Sequence, residues 1–431
     1  MANDGGIGGL TIEHVPAAAA PPSPVPAKRP DVVGEAGDVF VLGSGEAGQL
    51  GLGPDVHERE RPAKLKWFEE DGRDIAVVSI CAGGMHSAAL TADGEIYTWG
   101  CNDHMSLGRP GEETEPGLVQ GALTGQYVTK VVCGDSVTAC LTTEGRVYAW
   151  GTFRDNNGVF GFYHDIKVQD TPLLIEELEH VTAISAGTNH LAAHTSDHKI
   201  YTWGVGEQGQ LGRKTSARNA RSQCLVPRTI NFRPHGLPGN RFTAIYCAGY
   251  HTFVVHESSA VFGFGLNQYG QLGAGHTQAT ECVPQLHGVG IAAITGGETH
   301  TLLLDVEGRV HCCGRGDSYQ LGLGDDASHS VMKTVPNLPT IATVSSGAQF
   351  CLALSAPAKA PMTAPGPDGE DVAIAAGQNI VYGWGYGERG QLANGSEDNE
   401  RPTAFNLKER FVLELSAGGQ HSMLLLRKKG Q

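Results

Sequence analysis

The stretch IYTWGVGEQGQLG (residues 200–212) decides the fold, because its pattern recurs along the chain. In most copies a strand-like run ends on an aromatic residue and a glycine, and a short loop then closes on Gln-Leu-Gly. Repetition at this spacing is typical of a repeat architecture rather than of unrelated domains. The seven copies occupy residues 39–51, 96–108, 147–161, 200–212, 261–273, 310–322 and 381–393.

A second pattern precedes most of these copies. It reads as a small residue, a glycine, two further residues, a histidine and an apolar run, as in AGGMHSAALTADG (82–94). Between the two patterns lie turn signals such as Asp93-Gly94, which favour tight hairpins. Each repeat is therefore predicted to contain a hairpin of two inner strands. The other copies are 133–145, 186–198, 247–259, 296–308, 346–355 and 417–426, with Val137 and Phe350 in place of histidine in two of them.

The two ends of the chain complete each other. The first copy has no histidine-bearing strand before it, and the last such strand, 416–426, has no partner strand after it. Pairing the N-terminal strand with the C-terminal strand would complete one sheet and remove two open edges. Seven small sheets that cannot bury both faces alone imply a ring. We predict an all-β chain that forms a seven-bladed β-propeller closed by this pairing.

Composition excludes several other classes. The chain has 431 residues and 60 glycines without a three-residue period, which excludes collagen. No apolar run reaches 18 residues, so no membrane-spanning segment is expected. The net charge of −15 argues against coating nucleic acid by bulk electrostatics. The ten cysteines form no C-x-x-C pair, so we expect buried free thiols, no metal site and no cofactor.

Two segments and a short end lie outside the repeat plan. Residues 1–37 are rich in Gly, Ala and Pro and are predicted to form a flexible tail, without the charged and apolar regions of a secretory signal. Residues 38–427 form the predicted propeller, and residues 355–377 interrupt its sixth hairpin as an exposed, mobile insertion. Residues 428–431 form a C-terminal tail.

These motifs resemble the regulator of chromosome condensation family over residues 38–427. The sharpest similarity is the third copy, where TFRDNNGVFG (152–161, here called the wedge) replaces the ordinary loop and lacks Gln-Leu-Gly. In the family this segment is the β-wedge of the nucleotide exchange factor for the Ran GTPase. The resemblance implies that the wedge disturbs the phosphate and Mg²⁺ site of Ran, through Phe153, Arg154, Asp155, Asn156, Asn157, Gly158 and Val159.

The resemblance also implies further residues that face Ran. Asp135 matches an acidic position implicated in exchange, and His300 matches a functional histidine. Arg213 matches a Ran-contacting arginine, and Glu46 keeps the charge of a family aspartate. Asn189 stands where the exchange factor has aspartate and so removes one negative charge.

The other repeated side chains favour a structural interpretation. His86, His190, His251 and His421 occupy one repeat position, where we expect each imidazole to bond a neighbouring backbone carbonyl. Equivalent positions lie far apart around a ring, so they are not expected to bind a metal together. The strand-end tryptophans are predicted to pack between blades: Trp99, Trp150, Trp203 and Trp384.

The family also binds chromatin, and here the similarity is partial. The tail of residues 1–37 has Lys28 and Arg29 as its only basic residues, against four acidic ones, so weak or no direct DNA binding through it is expected. Arg218 and Arg221 in KTSARNARSQ (214–223) match a loop that docks on the histone acidic patch. A solvated loop is the plain alternative. The resemblance places the chain in the nucleus.

Two functions remain open from the sequence. The first is a Ran exchange factor, which makes and breaks no bond and disturbs the phosphate and Mg²⁺ site of the GTPase with its wedge. The second is a non-catalytic interaction scaffold that keeps the repeats. The wedge discriminates between them, because a scaffold has no need of FRDNNG in one blade only.

Overall fold

The computed structural model describes residues 34–213, 220–230, 241–278, 280–285, 290–366, 370–395, 397–407 and 410–428. Strands β1 (Gly37–Ser44) and β2 (Glu58–Lys64) complete the sheet begun by the last two strands of the chain. Blade 1 has β3 (Val77–Ala82), β4 (His86–Thr91), β5 (Ile96–Gly100) and β6 (Gly117–Leu118). Blade 2 has β7 (Val128–Cys133), β8 (Val137–Thr142), β9 (Val147–Gly151) and β12 (Gln169–Leu174), with β10 (Phe153–Asp155) and β11 (Gly158–Gly161) as a separate hairpin.

The remaining blades repeat this antiparallel order. Blade 3 has β13 (Val181–Ala186), β14 (His190–Thr195), β15 (Ile200–Gly204) and β16 (Arg228–Thr229). Blade 4 has β17 (Phe242–Cys247), β18 (His251–His256), β19 (Val261–Gly265) and β20 (Thr280–Gln285). Blade 5 has β21 (Ile291–Gly296), β22 (His300–Asp305), β23 (Val310–Gly314) and β24 (His329–Thr334). Blade 6 has β25 (Ile341–Ser346), β26 (Phe350–Ser355), β29 (Val381–Gly385) and β30 (Asn399–Ala404), with the hairpin β27 (Met362–Pro365) and β28 (Asp371–Ile374) inserted.

Blade 7 joins the two ends of the chain, as predicted. It contains β31 (Val412–Ala417) and β32 (His421–Arg427) followed by β1 and β2. Strand β1 runs antiparallel to β32 from the Gly37–Arg427 pair to the Gly43–His421 pair. The helices of the described residues are short: 3-10 turns at Lys66–Phe68 and Gly121–Leu123, and α1 (Ala220–Cys224). None of them has the length and apolarity needed to cross a membrane.

Backbone hydrogen bonds run around the inner end of the blades. In each blade the residue after the loop glycine position donates its N–H to a loop carbonyl of the next blade, over 2.8–3.3 Å. The bond from Gly419 returns to the carbonyl of Gly83 in blade 1 and completes the circle. The repeated glycine of the second pattern is explained by this close approach of neighbouring loops. The donors are Gly84, Asp135, Thr188, Gly249, Glu298, Ala348 and Gly419.

The repeated histidines connect the same neighbours in the core. The His86 Nε2 lies 2.8 Å from Thr138 Oγ1, and that hydroxyl donates to the carbonyl of Ser106 at 2.8 Å. Because the hydroxyl proton is used in this way, the imidazole Nε2–H is the donor to it. This side-chain partner one blade on was not predicted from the sequence. The other pairs are His190–Thr252, His251–Thr301, His300–Cys351 and His421–Ser87.

The aromatic residues fill the spaces between blades. Trp150 is fully buried, and its Nε1–H donates to the carbonyl of Ser106 in blade 1 at 2.8 Å. A Cβ on Gly108, the last glycine of the blade 1 loop, would lie 2.5 Å from that Nε1. Packing of the indole against the previous blade therefore requires glycine there, and it confirms the predicted role of these tryptophans.

The insertion in blade 6 has its own structure at its base. Its hairpin buries Ala364 and Ile374 in the core beside Tyr382 and Trp384. Residues 367–369 lie outside the described residues, as do residues 1–33 and 429–431. The mobility of the insertion and of the tails stays a prediction. The propeller itself begins slightly earlier than predicted, because β1 starts at Gly37 and Glu35 already forms an ion pair with Arg427.

The inner circle predicts a large difference between two glycine variants. In Gly187→Ala the added Cβ would lie 2.3 Å from the backbone carbonyl of Ala248, so the backbone must shift. Gly53 has nothing within 4 Å of its Cβ position, and only its φ of +90° disfavours alanine. We expect Gly187→Ala to lower the free energy of unfolding by about 3 kcal/mol and Gly53→Ala by about 1 kcal/mol. Urea unfolding measures both, and equal losses would contradict the close approach.

Candidate functional site

The wedge is a hairpin that stands apart from the seven sheets. Arg154 pairs with Val159 and Asp155 with Gly158, which leaves Asn156 and Asn157 as a two-residue turn. The Asn157 N–H donates to Asp155 Oδ1 at 2.8 Å, a local bond that asparagine and aspartate turns commonly make. The φ of Gly158 is +109°, which side-chain-bearing residues rarely adopt. The FRDNNG sequence thus forms an exposed tip.

The base of the wedge is anchored by aromatic packing. Phe153 is fully buried and stacks on Phe162 with ring centroids 6.4 Å apart. Thr152 donates its hydroxyl proton to the carbonyl of Lys167 at 2.7 Å. The result is an apolar base below a polar tip.

Three of the predicted residues meet beside the wedge. The Arg154 N–H donates to Asn189 Oδ1 at 2.8 Å, and Arg154 Nη1 lies 4.0 Å from Asp135 Oδ2. Burial raises the pKa of Asp135, while the charges of Arg154 and His104 act against that rise. Asp135 therefore presents a partly desolvated carboxylate next to the wedge.

A cleft of about 480 Å³ is lined by the wedge and by loops of blades 3 to 5. Asp135, Asn189 and the wedge residues Arg154, Asp155 and Asn156 form one side of it. The sequence analysis missed the other residues that matter to its charge and shape, which are Glu207, Tyr250, Tyr269, Glu298 and Arg315.

The repeat position of Glu298 in the sequence could have identified it. It occupies the same repeat position as Asp135, and these two are the charged residues among the seven at that position. Burial raises the pKa of Glu298, and the charge of Asp135 raises it further. The cleft therefore has two carboxylates that repel each other, which favours a basic group of a partner between them.

His300 does not line this cleft with its side chain. Its imidazole is fully buried, Nε2 lies 3.1 Å from Cys351 Sγ, and burial lowers its pKa to about 4. The neighbouring Thr299 lines the cleft instead. The structure thus gives His300 the same inter-blade position as the other repeated histidines, and a role in exchange would act through the loop it supports.

Arg213 is also committed to the fold. Its Nη2 donates to the carbonyls of Thr202 at 3.2 Å and Gln223 at 3.0 Å. Arg109 makes the same kind of contact in blade 1, donating to Thr98 at 2.8 Å. Arg213 therefore anchors the loop after its strand, a role that the resemblance did not predict.

This contact predicts matched losses in two variants. Arg213→Ala and Arg109→Ala should each lower the free energy of unfolding by about 2 kcal/mol, because each leaves buried carbonyls without donors. Thermal unfolding measures the loss. A partner-binding defect in Arg213→Ala with unchanged stability would show instead that Arg213 contacts the partner directly.

The other predicted partner residues lie away from the cleft. Glu46 is exposed in the blade 7 loop, where its Oε1 lies 3.1 Å from Arg389 Nη1. Arg221 is the second residue of α1, is exposed and lies over the Phe160 ring of the wedge at 5.5 Å. Arg218 lies outside the described residues. The described residues contain no cluster of three metal-ligating side chains.

Comparisons with known proteins agree with this architecture. The regulator of chromosome condensation from Xenopus laevis is 38% identical over 91% of this chain and 90% of its own length. Guanine nucleotide exchange factor SRM1 from Saccharomyces cerevisiae is 29% identical over 90% of this chain and 86% of its own length. The crystal structure of Prp20p from Saccharomyces cerevisiae, described with its binding to Gsp1p and histones, is 27% identical. It covers 92% of this chain and 93% of its own, with a TM-score of 0.79.

The match extends over the whole propeller. The family model described as the RCC1-like domain matches residues 38–424, from β1 near the start of the chain into β32, the strand that pairs with it. This chain belongs to the RCC1-like domain family.

Proposed function

We propose that this chain is a guanine-nucleotide exchange factor for a Ran-type GTPase. The observation that carries the proposal is the wedge, which replaces the ordinary repeat loop in one of seven blades and projects an exposed polar tip. SRM1 is named as a guanine nucleotide exchange factor, and Prp20p is described as binding Gsp1p (Ran). These relatives support the proposal.

The chemistry required is differential binding. A GTPase holds its nucleotide through a phosphate loop and Mg²⁺. A protein that binds the nucleotide-free form more tightly must weaken nucleotide binding by the same factor. The wedge tip supplies a cation, Arg154, and an anion, Asp155, on a buried aromatic base. In the proposed complex these charges compete for the contacts that hold phosphate and Mg²⁺, and no bond is made or broken.

The remaining predicted residues take different parts in this proposal. Asp135 and Glu298 form an acidic seat for a basic group of the GTPase, and Glu46 adds charge on another blade. His300 and Arg213 support the loops that present this face.

Docking on chromatin is a second part of the proposal. Prp20p is described as binding histones. In this chain Arg221 is exposed beside the wedge, and its guanidinium suits histone carboxylates. The two basic residues of the 1–37 tail give little affinity for DNA, so chromatin association in this proposal depends on protein contacts. Arg221→Glu should reduce nucleosome binding in a pull-down, and unchanged binding would contradict a contact between Arg221 and the histones.

Nucleotide-dependent binding separates an exchange factor from a scaffold. Ran stripped of nucleotide with EDTA should bind the immobilised chain, and added GDP with Mg²⁺ should weaken binding by at least about 100-fold. A scaffold would bind Ran equally with and without nucleotide. Equal binding, or none, would contradict the proposal.

A further inference from the structure

The wedge is tied to blade 3 by a side chain 35 residues further along the chain. The hairpin register shifts between Phe153 and Arg154, at the point where the wedge leaves the ring. There the Arg154 N–H donates to Asn189 Oδ1 at 2.8 Å. Asn189 is 7% exposed and Arg154 is half-buried, so this bond is partly shielded from water. Loss of the acceptor would leave this half-buried N–H without a partner in the protein, which is costly.

Asn189 is itself held in a fixed position. Its backbone carbonyl accepts the Val205 N–H at 2.8 Å, and His190 beside it is fully buried. Gly204 lets the two elements meet, since a Cβ there would lie 2.6 Å from the Asn189 carbonyl and 3.0 Å from Phe153 Cε1. The site therefore combines a rigid acceptor with an apolar contact to the wedge base.

The ion pair of the wedge with Asp135 is a weaker attachment. The ion pair between Arg154 and Asp135 has a separation of 4.0 Å, and both side chains are about one-third exposed, at 37% and 30%. Ion pairs of this kind contribute little because water screens them. The Asn189 bond is the shorter and less exposed of these two polar contacts of Arg154.

We propose that Asn189 is a positioning residue that latches the wedge to blade 3, rather than a partner contact. Its consequence for exchange rests on the proposed function, whereas the latch itself is a property of the free protein. The amide of Asn189 does not itself titrate. An aspartate would offer the same acceptor oxygen with a charge.

The latch is tested first without any partner. The full chain, labelled with ¹⁵N-arginine, allows hydrogen exchange of the Arg154 amide to be followed by NMR in the parent, Asn189→Ala and Asn189→Asp. We expect exchange about 10- to 100-fold faster in Asn189→Ala and near the parent rate in Asn189→Asp. The matched control is Asn379→Ala, a residue 6% exposed whose amide bonds Val412 away from the wedge. Unchanged Arg154 exchange in Asn189→Ala, or an equal increase in Asn379→Ala, would overturn the latch.

The second readout is the split between kcat and KM for GDP release from Ran. A variant without the latch should bind Ran normally but hold the wedge in the wrong orientation. Asn189→Ala should therefore lower kcat about 10-fold with KM unchanged, and Asn189→Asp should restore kcat. A raised KM with normal kcat would make Asn189 a partner contact and overturn the latch. If the parent chain fails to accelerate release, the proposed function fails, and Arg154 hydrogen exchange still decides the latch.

Discussion

Replacing Arg154–Asn157 of the wedge by Gly-Ser-Gly-Ser should slow chain-stimulated GDP release from Ran by at least about 100-fold. The change removes the two charged side chains of the tip, and hydrogen bonds to charged groups contribute about 1.5–3 kcal/mol each. Two such losses in the transition state correspond to a rate factor of about 100 or more. The backbone N–H at position 154 and the buried Phe153 base are kept, so the hairpin retains its anchor. Stopped-flow fluorescence with mantGDP measures the rate.

A control in the same blade separates the tip from general loss of structure. Glu144 and Arg146 form an exposed ion pair of 3.6 Å at the opposite end of the blade 2 strands. Changing both to serine should leave the release rate and the unfolding midpoint near those of the parent. Equal slowing in the wedge and control variants would show that the tip is not the acting element.

Mild acid should destabilise the chain strongly. Burial lowers the pKa of the five repeated histidines to about 3 or 4, against an ordinary value of 6.5. Between these values the unfolded chain binds protons that the folded chain does not, so stability falls as the pH falls through 6.5. At pH 5 each buried histidine lowers the free energy of unfolding by about 2 kcal/mol. Five of them approach the total stability of an ordinary domain.

Carboxylates with shifted pKa values change the folding stability in the opposite direction or at lower pH. Burial raises the pKa of Asp135, Glu298 and Glu414, so these groups favour folding as the pH falls and oppose the histidines. Burial alone would raise the pKa of Asp305, but hydrogen bonds from His311 and Arg309 outweigh it and hold it low. The stability given by Asp305 is lost only below about pH 4. The loss between pH 6.5 and 5 therefore reports the histidines.

Blade 6 supplies the variant that tests this assignment. Phe350 occupies the histidine position there, and Ser422 in the next blade still donates to the carbonyl of Gln391. His190→Phe copies this arrangement and removes one titrating group. Urea unfolding at pH 7.5 and pH 5 should show a pH-dependent loss smaller by about 2 kcal/mol than in the parent. An identical loss in both proteins would contradict the role of His190.

The repeats predicted the fold because each one encodes the same contacts. The Trp-Gly pair, the loop glycines and the His position each contact the neighbouring blade, so seven copies specify a ring. The pairing of β1 with β32 followed from an incomplete repeat at each end. The hydroxyl or thiol partner of each histidine was missed, because its position is defined by packing between blades rather than within one repeat.

The local geometry of the candidate site was predicted in part. The wedge sequence alone indicates an exposed polar turn, and the structure forms that hairpin. The bond between Arg154 and Asn189 joins two blades, so no local pattern predicts it. His300 and Arg213 were selected by resemblance, which identifies positions but not whether the side chain reaches the surface.

The most direct test of the central claim is mantGDP release from Ran with the purified full chain in substoichiometric amount. We predict that one part of chain to one hundred parts of Ran releases all of the bound mantGDP in excess GTP, at least about 100-fold faster than Ran alone. Complete release shows turnover, which a scaffold cannot produce. A release rate equal to that of Ran alone would contradict the account.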